Sequence, residues 1–130
     1  MIQLDTHALL WLESEHGKLS APARSSIETA RLTGETIAVA AVTLWEIALL
    51  AKRGRVLAGE SIESFLNDIE RNYKIIPVSA AIAFLAAELP HPFPKDPMDR
   101  LITATALTLD LTLITADRSI LASRACKLLW

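Results

Sequence analysis

Short β-type apolar runs alternate with stretches of helical periodicity along this chain, and that alternation restricts the folds open to it. Met1 to Leu4 is a short apolar start. Ser20 to Leu32 reads as a helix, with Ser20 at the N-cap and Pro22 in the first turn. Thr36 to Val42 is β-type, carrying the β-branched Ile37, Val39 and Val42. Leu44, Ile47, Ala48 and Ala51 then follow helical spacing, ended near Gly54. Ile62, Phe65, Leu66, Ile69 and Tyr73 form a clean stripe that predicts the next helix. Ile75 to Val78 predicts a strand, and Ser79 caps a helix bearing Ile82, Leu85, Ala86 and Leu89. The prolines of Pro90 to Pro94 exclude a helix there. Met98, Leu101, Ile102, Thr105 and Leu109 mark a further helix, Leu111 to Ile114 a strand, Asp117 the start of a short last helix, and Lys127 to Trp130 a terminal edge strand. The alternation predicts an α/β chain with a parallel sheet and right-handed crossovers.

With 130 residues, the expectation is a single domain spanning 1–130, and neither repeat nor linker interrupts it. The hydrophobic fraction, 52%, is high for so short a chain. A membrane span does not account for it. The longest apolar stretch, Ile37 to Ala51, is broken by Thr43 and Glu46 and is shorter than the ~18 residues a spanning helix needs. The start, Met1-Ile2-Gln3-Leu4-Asp5, lacks the basic region of a secretion signal. A parallel sheet covered on both faces absorbs much of the apolar surplus, and a subunit interface takes the rest. The single cysteine, Cys126, excludes an intrachain disulfide and fits a reducing cytoplasm; with no histidine near it in sequence, it reads as a structural thiol. Net charge is −2, which argues against nucleic-acid binding by a broad basic surface. It leaves open an enzyme that holds nucleic acid through metal ions and a few arginines.

Four acids share an address. Asp5 ends the first strand, Glu46 falls in the first turn after Thr36–Val42, Asp99 follows Pro97 into a helix, and Asp117 follows Leu111–Ile114. Ligands bind at the carboxyl edge of an open parallel sheet. Taken singly, each acid has a capping explanation: Thr43 to Glu46 fits a capping box, Asp96-Pro97 an N-cap and first helical residue, and Asp5 and Asp117 simple N-caps. Taken together they need more, because caps accept Ser, Thr or Asn as readily as Asp. Two carboxylates ~4 Å apart repel by about 4 kcal/mol at an effective dielectric near 20. A cluster of them calls for divalent cations or raised pKa values. All-oxygen ligands select Mg²⁺ or Mn²⁺ rather than zinc, so the constellation points to phosphodiester chemistry.

These segments resemble a known family. Leu4-Asp5-Thr6-His7-Ala8-Leu9-Leu10-Trp11 is similar to the opening of PIN-domain toxins of the VapC type. Val42 to Ala48, Asp96 to Ile102 and Leu113 to Asp117 resemble their second, third and fourth motifs, in order and over nearly the whole chain. The resemblance implies a three-layer α/β/α sandwich around a central parallel sheet. It implies a Mg²⁺- or Mn²⁺-dependent endoribonuclease, with one or two ions activating a water that hydrolyses RNA to 5′-phosphate and 3′-hydroxyl ends. It also implies a homodimer or a hetero-oligomer with a cognate antitoxin. The family's acidic positions fall on Asp5, Glu46, Asp99 and Asp117, as metal ligands and catalytic residues, and Asp96 is an additional acid.

Other residues take supporting readings. Thr6 and Thr115 carry hydroxyls that orient a carboxylate or a metal-bound water, or else make ordinary turns. Asp96 belongs to the N-cap, so Asp99 is the ligand of the pair, its side chain tilted toward the helix N-terminus. Arg100 and Arg118 are candidate phosphate contacts, or pair with the neighbouring acids. Lys52, Arg53 and Arg55 either track an RNA backbone or form a solvated helix end. His7 and His91 read as structural or exposed, and Trp11 and Trp45 as packing residues rather than base-stacking ones. Two rivals stand beside the nuclease. A receiver-type phosphoacceptor domain needs paired acids after the first strand, a phosphorylated Asp after the third and a lysine near the last; here the first strand ends in one acid, and Leu111–Ile114 is followed by Thr115-Ala116-Asp117 with no lysine. A catalytically silent fold of the same kind, binding RNA or protein, is separated by metal-dependent RNA cleavage.

Overall fold

The computed structural model describes residues 1–57 and 59–130. Its strands are β1 (Ile2–Leu4), β2 (Ile37–Ala40), β3 (Lys74–Ile76), β4 (Thr112–Ile114) and β5 (Leu128–Leu129). The helices are α1 (Thr6–Ser14), α2 (Ala21–Leu32), α3 (Ala41–Lys52), α4 (Ile62–Asn72), α5 (Ala80–Glu88), α6 (Pro97–Thr108) and α7 (Arg118–Ser123), with a 3₁₀ turn at His16–Lys18. Every strand pair is parallel, and the order is β3-β2-β1-β4-β5. That order differs from the 2-1-3-4-5 of receiver-type domains and disposes of that rival. Leu4 is level with Val39 on one side and with Ile114 on the other, so β1, β2 and β4 end together.

The sheet is covered on both faces, as the sandwich requires. Ile2, Leu4, Ile37, Val39 and Ile114 pack with Leu9 of α1, Ile27 of α2, Ile47 of α3 and Ile69 of α4. Ala38, Ala40, Ile76 and Leu113 pack on the opposite side with Ile82 of α5, Ile102 of α6 and Ile120 of α7. Double coverage explains why β1 and β2 are buried at every position, the pattern of a parallel sheet rather than of a half-exposed one. One polar residue enters that core: Gln3 is fully buried, and its Nε2 donates to the Ile102 carbonyl 3.0 Å away, tying β1 to α6. No helix among the described residues is long and apolar enough to cross a membrane.

The caps follow the sequence reading closely. Ser20 and Ser79, read as caps, each accept the amide of the residue three positions on, and so does Ser61, which the sequence reading did not name. Four elements depart from it; β3 runs Lys74–Ile76, so Pro77 and Val78, expected in the strand, lie beyond it. Helix α1 was not separately expected, because Ala8 to Leu12 is continuously apolar and shows no helical stripe. Strand β2 stops at Ala40, so Ala41 and Val42 open α3 instead of extending the strand. Its N-cap is Ala40, without a side-chain cap, so the capping box from Thr43 to Glu46 is not formed and Glu46 lies in the second turn. Trp45, read as packing in the core or at a dimer interface, is 59% exposed, which excludes the core and leaves the interface.

Candidate active site

The topology brings the acids together. β1 leads to β2 on one side and β4 lies on the other, so the chain reverses its direction of travel between β1 and β4. The carboxyl edge at that reversal is where open α/β sheets bind ligands. A cavity of about 410 Å³ opens there, lined by Asp5, Glu46, Asp96, Asp99 and Asp117 with Thr6, His7 and Trp11.

Each acid is placed by its own element. Asp5 leaves β1, donates its amide to the Ile114 carbonyl at 3.1 Å and caps α1, with Oδ1 accepting from the Ala8 amide at 2.8 Å. Its other oxygen, Oδ2, accepts from the Thr115 hydroxyl. The Thr115 oxygen in turn accepts the Asp117 amide at 3.1 Å, so one buried hydroxyl joins the ends of β1 and β4. Asp117 caps α7 through Ile120 at 3.0 Å, and Asp96 caps α6 through the Asp99 amide at 3.0 Å. On α1, the Thr6 hydroxyl donates to Glu46 Oε1 and lies 3.2 Å from the Thr43 hydroxyl, which aligns the α3 carboxylate with the others. Three of the acids are therefore both caps and cavity walls, while Glu46 and Asp99 cap nothing.

The electrostatics record the crowding. Burial lifts the Asp5 carboxyl above its ordinary value, against the lowering pull of Thr115, the Ala8 amide and His7, and Glu46 adds to the rise. Asp99 is pushed up to about 7, first by burial and then by the fields of Asp96, Asp117, Glu46 and Asp5. Among the described residues no three carboxylates close on one point as a finished cation cage.

Not every candidate joins the site. Arg100 follows Asp99 in sequence but turns away from the cavity. Its Nε donates to the Ala86 carbonyl at 2.9 Å, Nη1 to Pro94 at 3.0 Å and Nη2 to Leu89 at 2.7 Å. A guanidinium so occupied is not free to meet a phosphate, and the Arg100 expectation is withdrawn. Arg118 is exposed at the start of α7, outside the residues that line the cavity. His91 lies elsewhere, among Leu85, Leu89 and Phe93. The Cys126 thiol is pushed up to about 11 by burial, in keeping with an inert structural role. His7 and Trp11, read from sequence as structural, line the cavity instead. Their spacing of four along α1 was the available signal.

Comparison with known proteins shows the family and the fold. The family model of the PIN domain matches residues 2–126. Ribonuclease VapC22 of Mycobacterium tuberculosis is 34% identical over 123 residues, covering 95% of this chain and 92% of that protein. Among solved structures, VapBC2 from Rickettsia felis, bound to a DNA fragment from their promoter, superposes with a TM-score of 0.74 at 22% identity, covering 100% of this chain and 99% of the other. FitAcB from Neisseria gonorrhoeae superposes with a TM-score of 0.72 at 19% identity, covering 100% and 97%. A parallel sheet of this order, a cavity of carboxylates at its reversal point and a matching model over nearly the full length lead to one conclusion: the chain belongs to the PIN domain family.

Proposed function

We propose that this protein is a divalent-metal-dependent endoribonuclease that acts as the toxin of a toxin–antitoxin pair. The observation that carries the reading is the cavity at the carboxyl edge of the sheet, lined by Asp5, Glu46, Asp96, Asp99 and Asp117, where burial and the neighbouring carboxylates raise Asp99 to about 7. Such a donor set fits a hard cation, Mg²⁺ or Mn²⁺, as one or two ions. When bound, the cation supplies charge neutralisation for the phosphate and an acidified water. Asp5, Glu46, Asp99 and Asp117 are the residues that would hold it.

The chain's own residues do the positioning. Thr115 and the Ala8 amide fix the two oxygens of Asp5, and Thr6 fixes Glu46, so these carboxylates are oriented before substrate arrives. Asp96 holds the first turn of α6 and thereby aims Asp99 at the cavity. Arg118, exposed beside Asp117, is the remaining candidate for a phosphate contact. In-line attack of water on phosphorus forms one P–O bond and breaks the bond to the 3′ oxygen, which leaves as a hydroxyl; the other product carries a 5′-phosphate. The similarity to Ribonuclease VapC22 supports RNA as substrate.

The solved structures of toxin–antitoxin complexes with this fold support an antitoxin partner. Exposed Trp45 and Phe84 supply apolar surface for that partner or for a homodimer. A single half-buried cysteine suits the cytoplasm. The test is incubation with total RNA in Mg²⁺, Mn²⁺ or EDTA, followed by mapping of the ends. Cleavage confined to the metal-containing reactions, with 5′-phosphate ends, is expected. Equal cleavage in EDTA contradicts metal dependence, and no cleavage in any reaction favours the catalytically silent reading.

A further inference from the structure

Two cavities meet at Trp11. The acidic one shares His7, Trp11 and Glu46 with a second, of about 700 Å³, which runs on past Lys18 to Arg53 and Arg55. The charge reverses along this continuous cleft. The first part is lined by five carboxylates and by neither Lys nor Arg. Beyond Glu46 the second carries Lys18, Arg53 and Arg55 against Glu15 and Glu60. Lys18 is neutralised by Glu15 at 2.8 Å. Arg53 and Arg55 are exposed and make no ion pair among the described residues. Trp11 lines both cavities; its ring lies 5.9 Å from His7 and 5.5 Å from Trp130, centroid to centroid, and Lys18 Nζ lies 6.0 Å from its centroid.

We propose that the second cavity seats the nucleotide that flanks the scissile phosphate in a single-stranded RNA, its base against Trp11 and His7 and its phosphate on Arg53 and Arg55. The inference rests on the ribonuclease reading and adds to it a substrate subsite. An aromatic face followed by unpaired arginines is the arrangement that tracks single strands, because any base offers a π-face and the backbone offers regular negative charge. A duplex keeps its bases stacked on one another and presents none to Trp11. A basic peptide suits the acids but is repelled at Arg53 and Arg55, whereas RNA is attracted by the arginines directly and would meet the acids through a bound cation.

The experiment compares wild type, Arg53→Ala/Arg55→Ala, Trp11→Leu and Trp11→Phe, with Arg71→Ala/Lys74→Ala as a charge-matched control away from the cleft. Each is assayed on a single-stranded oligoribonucleotide in Mg²⁺ at several salt concentrations, and on its 2′-O-methyl analogue by fluorescence anisotropy. Melting curves verify that each variant is folded. The arginine variant is expected to raise KM and weaken analogue binding roughly tenfold at low salt, with kcat within about twofold of wild type. Its salt slope is expected to fall by about 0.7, the value for one phosphate contact on a single strand. Trp11→Leu is expected to raise KM, and Trp11→Phe, which restores a π-face, to recover much of the loss. If wild type cuts no RNA, the ribonuclease reading fails and this inference fails with it. If wild type cuts RNA while the cleft variants keep its KM and salt slope, this inference alone is overturned. Retained RNA kinetics with lost binding of a protein partner overturns it too, assigning the cavity to that partner.

Discussion

Asp99 joins a raised carboxyl to a position that caps nothing. Its folded value of about 7 lies above the ordinary 3.8, so between those values the folded chain holds a proton that the unfolded chain has lost. Stability from this group is therefore present at low pH and lost as pH rises from about 4 to about 7. In metal-free buffer, Asp99→Asn is expected to raise the melting temperature at pH 8 and to leave it nearly unchanged at pH 4. The gain is on the order of 1–2 kcal/mol, once the screening of a half-exposed carboxyl is allowed for. A pH-independent difference between the two proteins would remove the repulsion argument. Thr115→Val tests the support of Asp5: losing its hydroxyl should lower Mn²⁺ affinity or cleavage about 10–100-fold, in the range seen for partners of metal ligands. Calorimetry and cleavage at wild-type levels would mean that Asp5 is oriented by the Ala8 amide alone. The four acids were legible in sequence as charges beside apolar runs. Thr6 was legible as a hydroxyl that orients a carboxylate, but its partner Glu46 was not, since that depends on how α1 packs against α3.

Elements decide what neighbouring residues can share. Consecutive residues on a helix point about 100° apart, which is why Arg100 turns from the cavity that Asp99 faces. Sequence adjacency suggested a common phosphate; the geometry makes Arg100 a brace between the first turn of α6 and the end of α5. Arg100→Ala is expected to destabilise the fold by roughly 2–4 kcal/mol, because charged hydrogen bonds are lost and buried carbonyls orphaned. Urea denaturation reads this directly, and a stability within 0.5 kcal/mol of wild type, the size of an ordinary surface substitution, would show the brace to be dispensable. The same scale explains the misplaced start of α3. Val42 favours a strand by type, yet β2 is paired only as far as Ala40, opposite Ile76. Past that point no strand remains to satisfy the backbone, and the helix takes over. The caps of α1, α2, α5, α6 and α7 were readable because a cap is a local arrangement of a few residues. The start of α3, with Ala40 as its cap, carries no such mark.

At the scale of the whole molecule, the alternation of periods was enough for the α/β class and the parallel sheet, and the resemblance supplied the sandwich. The strand order was not legible, because pairing partners far apart in sequence are chosen by packing. That order converts separated acids into a site: β1, α3, α6, α7 and the loop before α6 each deliver a carboxylate to one edge. A cation bound there joins elements from both ends of the chain, so its binding should raise thermal stability by mass action, about 2.7 kcal/mol at a hundredfold excess over Kd. The most direct test of the account is Mn²⁺ calorimetry on wild type, Asp96→Asn and Asp99→Asn. The account predicts that wild type binds, that Asp96→Asn retains much of that affinity because Asn caps as well as Asp, and that Asp99→Asn loses most of it. Wild-type affinity in Asp99→Asn, with loss in Asp96→Asn, would contradict the assignment of the ligand, and no binding by wild type would contradict the metal site itself.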